Sequence, residues 1–477
     1  MSRVPKTLVP LVLKYKVAHA RTKIVFYMRA RNVRSVSTDE HDHLPGMSWN
    51  SQEDEARKGK HVLSIERYIP FLLVALKYAR MCPAESFPTY KIVFLTGLVV
   101  FIIVTIFLNV LSEVAIIVIG IDGDGIADVI SVSSTWVVGL LKWCYCTIYN
   151  RRLFDIVKKL ERCHVFCQRI DSTMEGTQNG NFLGREIYMN EIESARQYCN
   201  VFFVWWLCMC NFTVLQWCVA PLLSGTYKMY LINDTFTDRD LPYIAWFPLD
   251  THSSYNYIFL YMVQAFGMFS CVFGIAYFDC FYVSMLIVIS AQLQYINTIL
   301  TKTQHTENKR APETVSSLMK KLKNCVACHA EIIEFLDKLQ TFASPIMFAQ
   351  CIETLFVLCL VSFEASAVKL TMDKENALVL IKLIGYFLAV SIQLGSFCIF
   401  ATQITHLALQ IPHSVYSCGW EITIFEQKQE SGTNKTFKCS DIDALIQMIM
   451  LQAQRPIMLT GGPFYILSME TFRAVSS

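Results

Sequence analysis

Charge is what this sequence has too little of. Only 17% of its 477 residues are Asp, Glu, Lys or Arg, while 53% are hydrophobic and 13% aromatic; a soluble globular chain is nearer 25% charged. Mean hydropathy is positive, and the membrane class leads before any single residue is read. The net charge of +3 is too small at this length to argue for nucleic acid or any anionic partner. Catalytic signatures are missing too. There is no P-loop, Rossmann glycine pattern, His-Glu-x-x-His or Gly-x-Ser-x-Gly, and no pair of ionisable groups inside the apolar runs suggests acid–base chemistry. Nothing supports an enzyme, a cofactor or a resident metal. The eighteen cysteines lack the dense spacing of a secreted disulfide framework and read as reduced thiols and small apolar packers. The basic N-terminus (Arg3, Lys6, Lys14, Lys16, Arg21, Lys23) is not followed by a signal-peptide core, so the first true span inserts the chain.

What is present is a series of long apolar runs. Crossing the hydrocarbon takes about 20 apolar residues as helix. Segments 92–112, 128–148, 201–223, 257–291, 342–363 and 377–401 qualify, and 456–477 is a seventh, interrupted by Gly461, Gly462 and Pro463. Lys and Arg are retained on the cytoplasmic side. With the N-terminus inside, segments 1–89, 149–198, 296–344 and 404–445 carry 15, 8, 7 and 3 of them, against 0, 2 and 2 in 113–130, 224–256 and 364–378. This asymmetry of 33 to 4 predicts an all-α membrane protein with seven transmembrane helices and a cytoplasmic N-terminus. The sequon at Asn233 falls in an outer loop of this topology, whereas that at Asn434 falls inside.

Residues 1–62 are basic and polar, too poor in apolar groups to bury a core, and are expected to be a mostly disordered cytoplasmic extension. The helical domain is expected over 63–477. Ile65, Tyr68, Ile69, Leu72, Leu73 and Leu76 recur at helical spacing, as either a helix lying on the inner membrane face or an ordinary packed one. The fourth run continues as helix to about Leu300, 313–341 is an amphipathic helix, and 441–454 is another. Together they predict long helices extending into an intracellular bundle.

Several motifs are set aside. Cys325-Val326-Ala327-Cys328-His329 matches the haem-attachment pattern but lies on a Lys-rich helix in a reducing compartment. Asp122-Gly123-Asp124-Gly125 resembles a calcium loop, but Ile126 and Ser133 stand where it needs acidic ligands. The intramembrane polar residues Gln216, Gln264, Lys382, Gln393 and Gln403 read first as interhelical hydrogen-bonding groups. A G-protein-coupled receptor has the opposite orientation, and its Asp-Arg-Tyr and Asn-Pro-x-x-Tyr signatures are absent.

A set of ordered motifs resembles one family. Leu241-Pro242-Tyr243 with Trp246-Phe247-Pro248-Leu249-Asp250, Tyr277-Phe278-Asp279 with Gln292-Leu293, and Ser417-Cys418-Gly419-Trp420 are similar to insect odorant receptors. So are Gln454-Arg455-Pro456, Gly461-Gly462-Pro463-Phe464 and Ser468-Met469-Glu470-Thr471-Phe472 near the C-terminus, and Arg67-Tyr68-Ile69-Pro70 near the start. The resemblance covers roughly residues 63–477. It implies an odorant-gated, nonselective cation channel, with a gustatory-type receptor channel as the alternative. In such a channel the chain is a ligand-tuning subunit, lacking the co-receptor's extended second intracellular loop and expected to pair with an odorant co-receptor subunit in a heterotetramer. A plasma-membrane location in a sensory neuron dendrite follows. The pore would be lined from the seventh helix, here Ser468, Thr471 and Val475. The fourteen residues after Pro463 make about 21 Å of helix, less than a roughly 30 Å core. A small volatile ligand would sit in an apolar pocket in the outer halves of spans two, three, four and six. On helical spacing the candidates are Ile130, Ser134 and Val137; Phe212, Leu215 and Gln216; Tyr257, Tyr261, Gln264 and Met268; and Ile384 and Phe387.

Overall fold

The computed structural model describes residues 69–81, 87–120, 126–171, 180–227, 231–232, 235–236, 239–306, 315–367, 374–421, 436–453, 457–462 and 465–476. The 1–62 extension and the sequons at Asn233 and Asn434 lie outside them. The elements in chain order are α1 (Pro70–Tyr78), α2 (Thr89–Ile119), α3 (Ile126–Ile148), α4 (Asn150–Asp171), α5 (Gly180–Ser224), β1 (Leu231–Ile232), β2 (Thr235–Phe236), α6 (Ser254–Thr306), α7 (Val315–Ala367), α8 (Lys374–Tyr416), α9 (Thr436–Ala453), β3 (Thr460–Gly461), β4 (Tyr465–Ile466) and α10 (Met469–Ser476). The fold is an all-α membrane protein.

Six of these, α2, α3, α5, α6, α7 and α8, are long and apolar enough to cross a membrane among the described residues. Each contains one of the first six apolar runs. Their boundaries follow local chemistry. Helix α2 starts directly after Pro88, whose extended backbone suits a helix entry, and stops at Gly120, whose φ of 104° favours glycine. In lipid there is little hydrophobic drive between helices, so close packing and hydrogen bonds hold them together. Gly139 illustrates the point: a Cβ there would lie 2.1 Å from Cys271 Sγ, so only glycine lets α3 approach α6 this closely.

Helix α6 is the axis of the domain. Every side chain from Phe278 to Leu293 is buried, as expected of a helix apolar all round, and α1, α2, α3, α5 and α8 pack on it. Helix α1 buries Ile69, Leu72, Leu73 and Leu76, so it is a packed helix, although Phe71 and Val74 still present apolar surface. Helix α7 is continuous from Val315 to Ala367 through Pro345, joining the 313–341 amphipathic helix to the fifth span. At its charged end it packs against α4, where Lys159 pairs with Glu331 and, at 2.9 Å, with Glu334. Cys167 Sγ and Cys328 Sγ approach to 3.0 Å. The Cys325/Cys328/His329 motif is therefore interior to helix packing.

The seventh segment does not run as one helix from 456. Thr460–Gly461 and Tyr465–Ile466 form a two-stranded hairpin, with Gly462 at φ 78°. A Cβ on Gly462 would fall 2.5 Å from the Phe348 ring. Gln340 holds the hairpin on α7, its Oε1 accepting from Thr460 N at 3.1 Å. Helix follows only over Met469–Ser476, with Ser468 Oγ accepting from Thr471 N at 3.2 Å as its cap. This helix packs on α8, where Phe472 lies against Gly395.

Candidate functional site

A cavity of about 80 Å³ lies where α3, α5, α6, α7 and α8 converge, several times the roughly 10–15 Å³ that admits one water. Each helix contributes one face. Trp206, Cys210, Thr213, Val214 and Trp217 are spaced 4, 3, 1 and 3 apart on α5, which puts them on a single side of a helix. Met268, Val272 and Ile275 do the same from α6, and Tyr386, Ala389, Val390 and Gln393 from α8. Val132 and Thr135 of α3 and Gln350 and Glu353 of α7 complete the wall.

An aromatic cap closes one end. Tyr243, from the loop before α6, stacks on Trp217 at 5.4 Å between centroids and meets Trp136 edge-on at 6.0 Å. Trp217 in turn meets Tyr386 edge-on at 6.3 Å, and Lys382 Nζ stands 4.5 Å from the Trp217 ring. Tyr243 cannot drift, because Gln264 clamps its backbone: Tyr243 N donates to Gln264 Oε1 at 3.2 Å, and Gln264 Nε2 donates to Tyr243 O at 3.1 Å. Trp246 N, donating to Ser112 O at 3.1 Å, ties the same loop to α2.

The opposite end is polar. Glu353 Oε1 accepts from Thr135 at 3.1 Å and its Oε2 from Gln350 Nε2 at 2.7 Å, while the Thr135 and Tyr386 hydroxyls meet at 2.5 Å. Gln350 Nε2 also donates to Gln393 Oε1 at 3.2 Å, and Gln393 Nε2 to Asp279 Oδ2 at 2.6 Å. Asp279 Oδ1 accepts from Lys142 Nζ at 2.6 Å, with both side chains at most 1% exposed. Four helices are thus joined by one chain of buried polar groups, each of which bonds to a neighbour in the chain. The apolar runs thus hold a buried ion pair that hydropathy does not announce. Lys142 and Asp279 are 137 residues apart, a separation no sequence pattern reveals. No cluster of three or more His, Cys, Asp or Glu placed to hold a metal occurs among the described residues.

The 7tm Odorant receptor family model matches residues 122–477. The chain belongs to the seven-transmembrane odorant receptor family. In fold the chain resembles the insect olfactory receptor OR5 from Machilis hrabei, with a TM-score of 0.65 over 87% of this chain and 96% of that one at 15% identity. The structure of OR5 in complex with eugenol matches equally, at 16% identity. Among curated relatives, it is 22% identical over 266 residues to Odorant receptor 13a of Drosophila melanogaster, covering 55% of this chain and 60% of that protein. With Odorant receptor Or1 of Anopheles gambiae it shares 23% over 220 residues, or 41% and 48% of the two chains. The receptor chain thus spans about half to three fifths of the length of these relatives.

Of the twelve candidate pocket residues, Met268 lines the cavity. Tyr257, Tyr261 and Gln264 sit above it on α6 and act on its frame: Tyr257 OH donates to Asp240 O at 2.8 Å, and Tyr261 OH donates to Cys218 O. Gln216 lies against Gly385 at the contact of α5 with α8, and Ser134 Oγ donates to Ser131 O within its own helix. Ile130 is half-buried. Val137, Phe212, Leu215, Ile384 and Phe387 face away from the cavity, between 39% and 55% exposed. The physical reason is that in a membrane the most apolar stripe of a helix faces lipid, while the inward stripe carries Trp, Tyr, Thr and Gln. Trp206/Thr213/Trp217 and Tyr386/Gln393 were the signal to follow. Of the pore candidates, Ser468 caps α10, Thr471 shares its hydroxyl contact at 2.8 Å, and Val475 falls in its last turn.

Proposed function

We propose that this chain is the ligand-tuning subunit of an odorant-gated cation channel, taking a small volatile molecule into the cavity beneath Trp217, Tyr243 and Tyr386. The observation that carries this reading is the cavity itself: bounded by five helices, lined mainly by apolar and aromatic side chains with a few fixed polar groups, the make-up of a small-molecule site. Family membership and the neighbouring receptor's structure with eugenol support the ligand class. The polar chain from Glu353 to Lys142 touches α3, α6, α7 and α8, so a ligand that shifts any one of them biases the rest. In this reading α10, with Ser468, Thr471 and Val475, leads to the pore. In this reading the N-terminus and the α4–α7 bundle face the cytoplasm, which the charge asymmetry supports, the cell is a sensory neuron, and an odorant co-receptor is the partner.

The test is co-expression with an odorant co-receptor and current recording under an odorant panel. Rapid cation current unaffected by G-protein block is the expected outcome. A response that requires G-protein signalling contradicts the channel reading.

A further inference from the structure

Glu353 is the one carboxylate in the cavity wall, and no Lys, Arg or His lines the cavity beside it among the described residues. Its side chain is 7% exposed. Lys142 is committed elsewhere, donating to Asp279 Oδ1 at 2.6 Å, and Lys382 stands over the Trp217 ring at the aromatic cap. Glu353 is left with neutral neighbours, Thr135 at 3.1 Å and Gln350 Nε2 at 2.7 Å. A desolvated carboxylate without a cation is costly, so it is held by a proton or by a positive ligand. The hydrogens around Glu353 point to a proton in the empty cavity. Three contacts within 3.2 Å link Glu353 to Thr135, Thr135 to Tyr386, and Tyr386 to Ser131 O. The two hydroxyls bring only two hydrogens to them. With the carboxylate ionised one contact goes without, and a proton on Glu353 supplies the third.

We propose that the cavity takes small volatile amines, with Glu353 as their counter-charge. This rests on the cavity being the odorant site. An amine enters as its uncharged base, the volatile form, which has no ammonium hydration to give up. Its lone pair takes the Glu353 proton: an N–H bond forms as the O–H bond breaks, and the cavity gains no net charge. The product is an ammonium against a carboxylate, joined by the stronger, charge-assisted kind of hydrogen bond. A carboxylate accepts about four hydrogen bonds, and Thr135 and Gln350 supply one to each oxygen, so acceptor capacity remains for the ligand. An alcohol or aldehyde is too weak a base to take the proton, and a hydrocarbon offers it nothing. An anionic ligand meets a carboxyl with no cation beside it.

The experiment uses the full chain, purified in detergent, with isobutylamine, isobutanol, isobutyraldehyde and isopentane as four probes of near-equal size. Affinity is read from the concentration dependence of thermal stabilisation at mildly alkaline pH. Isobutylamine is expected to bind about tenfold or more tightly than isobutanol. In mild acid the free amine and free Glu353 together hold two protons and the complex holds one. Amine affinity is therefore expected to fall there by up to about tenfold per pH unit, while the affinity for isobutanol holds. Glu353→Gln keeps the side chain's size and removes its charge, and the amine's advantage is expected to vanish. Equal affinity for amine and alcohol overturns the proposal, as does no stabilisation by isobutylamine, an amine affinity flat through mild acid, or an amine preference kept in Glu353→Gln. The wild-type comparison decides even where that variant fails to fold. Ala389→Phe, which fills the cavity, separates the two levels. If probes that bind the wild type no longer bind Ala389→Phe and the amine shows no advantage, the cavity reading stands and the amine proposal falls. If they bind it as before, the cavity reading falls and the proposal with it.

Discussion

Lys142 Nζ donates to Asp279 Oδ1 across 2.6 Å, with neither side chain reaching solvent. Asp279 also accepts from Gln393 at 2.6 Å, so one carboxylate ties α3 to α6 and α8. Removing one member of such a pair strands a buried charge, at a cost of about 3–5 kcal/mol. Replacing both with apolar groups costs much less. Lys142→Met and Asp279→Leu alone are therefore expected to lower thermal stability of the purified receptor sharply, and the double variant to recover most of the loss. Additive losses in this cycle contradict the coupling.

Gln264 bonds Tyr243 at both its N–H and its carbonyl. Gln264→Leu keeps the size of the side chain and loses both bonds, freeing the cap over the cavity. Stability is expected to fall by about 1–3 kcal/mol, and ligand sensitivity by about tenfold, with surface expression retained. Concentration–response curves beside surface labelling check it; unchanged sensitivity separates the cap from the ligand.

His164 of α4 is 3% exposed, with Nδ1 at 2.5 Å from Tyr188 OH. Burial pushes its imidazole down to about 4 from 6.5. The unfolded chain therefore binds this proton more readily, and the group costs nothing above pH 6.5. As pH falls from 6.5 to 4 stability is lost at about 1.4 kcal/mol per pH unit, levelling off below 4. His164→Gln is expected to flatten this part of a stability–pH profile measured by thermal unfolding. An unchanged slope contradicts a neutral buried imidazole.

Orientation is checked through glycosylation. With the N-terminus inside, glycosidase treatment of receptor from insect cells shifts the mass of the wild type and not of Asn233→Gln. Sugar on Asn434 reverses the topology.

Much of this architecture is legible in the sequence, and the reason is physical. A bilayer demands about 20 apolar residues per crossing, so 92–112 or 377–401 announces itself. Helix α6 was readable beyond its span because its apolar pattern continues to Leu300. Helix rotation is what hydropathy hides. Phe212 and Leu215 look like pocket walls and face outward, whereas Trp206, Thr213 and Trp217 look like interruptions and line the cavity. The Lys142–Asp279 pair and the Gln350–Glu353 contact with α3 depend on helices meeting in space. The hairpin before α10 is readable after the fact, from Gly461-Gly462, where Gly462 at φ 78° turns the chain.

The most direct measurement is a structure of this chain, co-expressed with an odorant co-receptor, in the presence of whichever odorant of the panel gives the largest current. The account predicts ligand density within the cavity bounded by Trp217, Tyr243, Tyr386 and Gln350. Ligand density confined to another position, with this cavity unchanged, contradicts it.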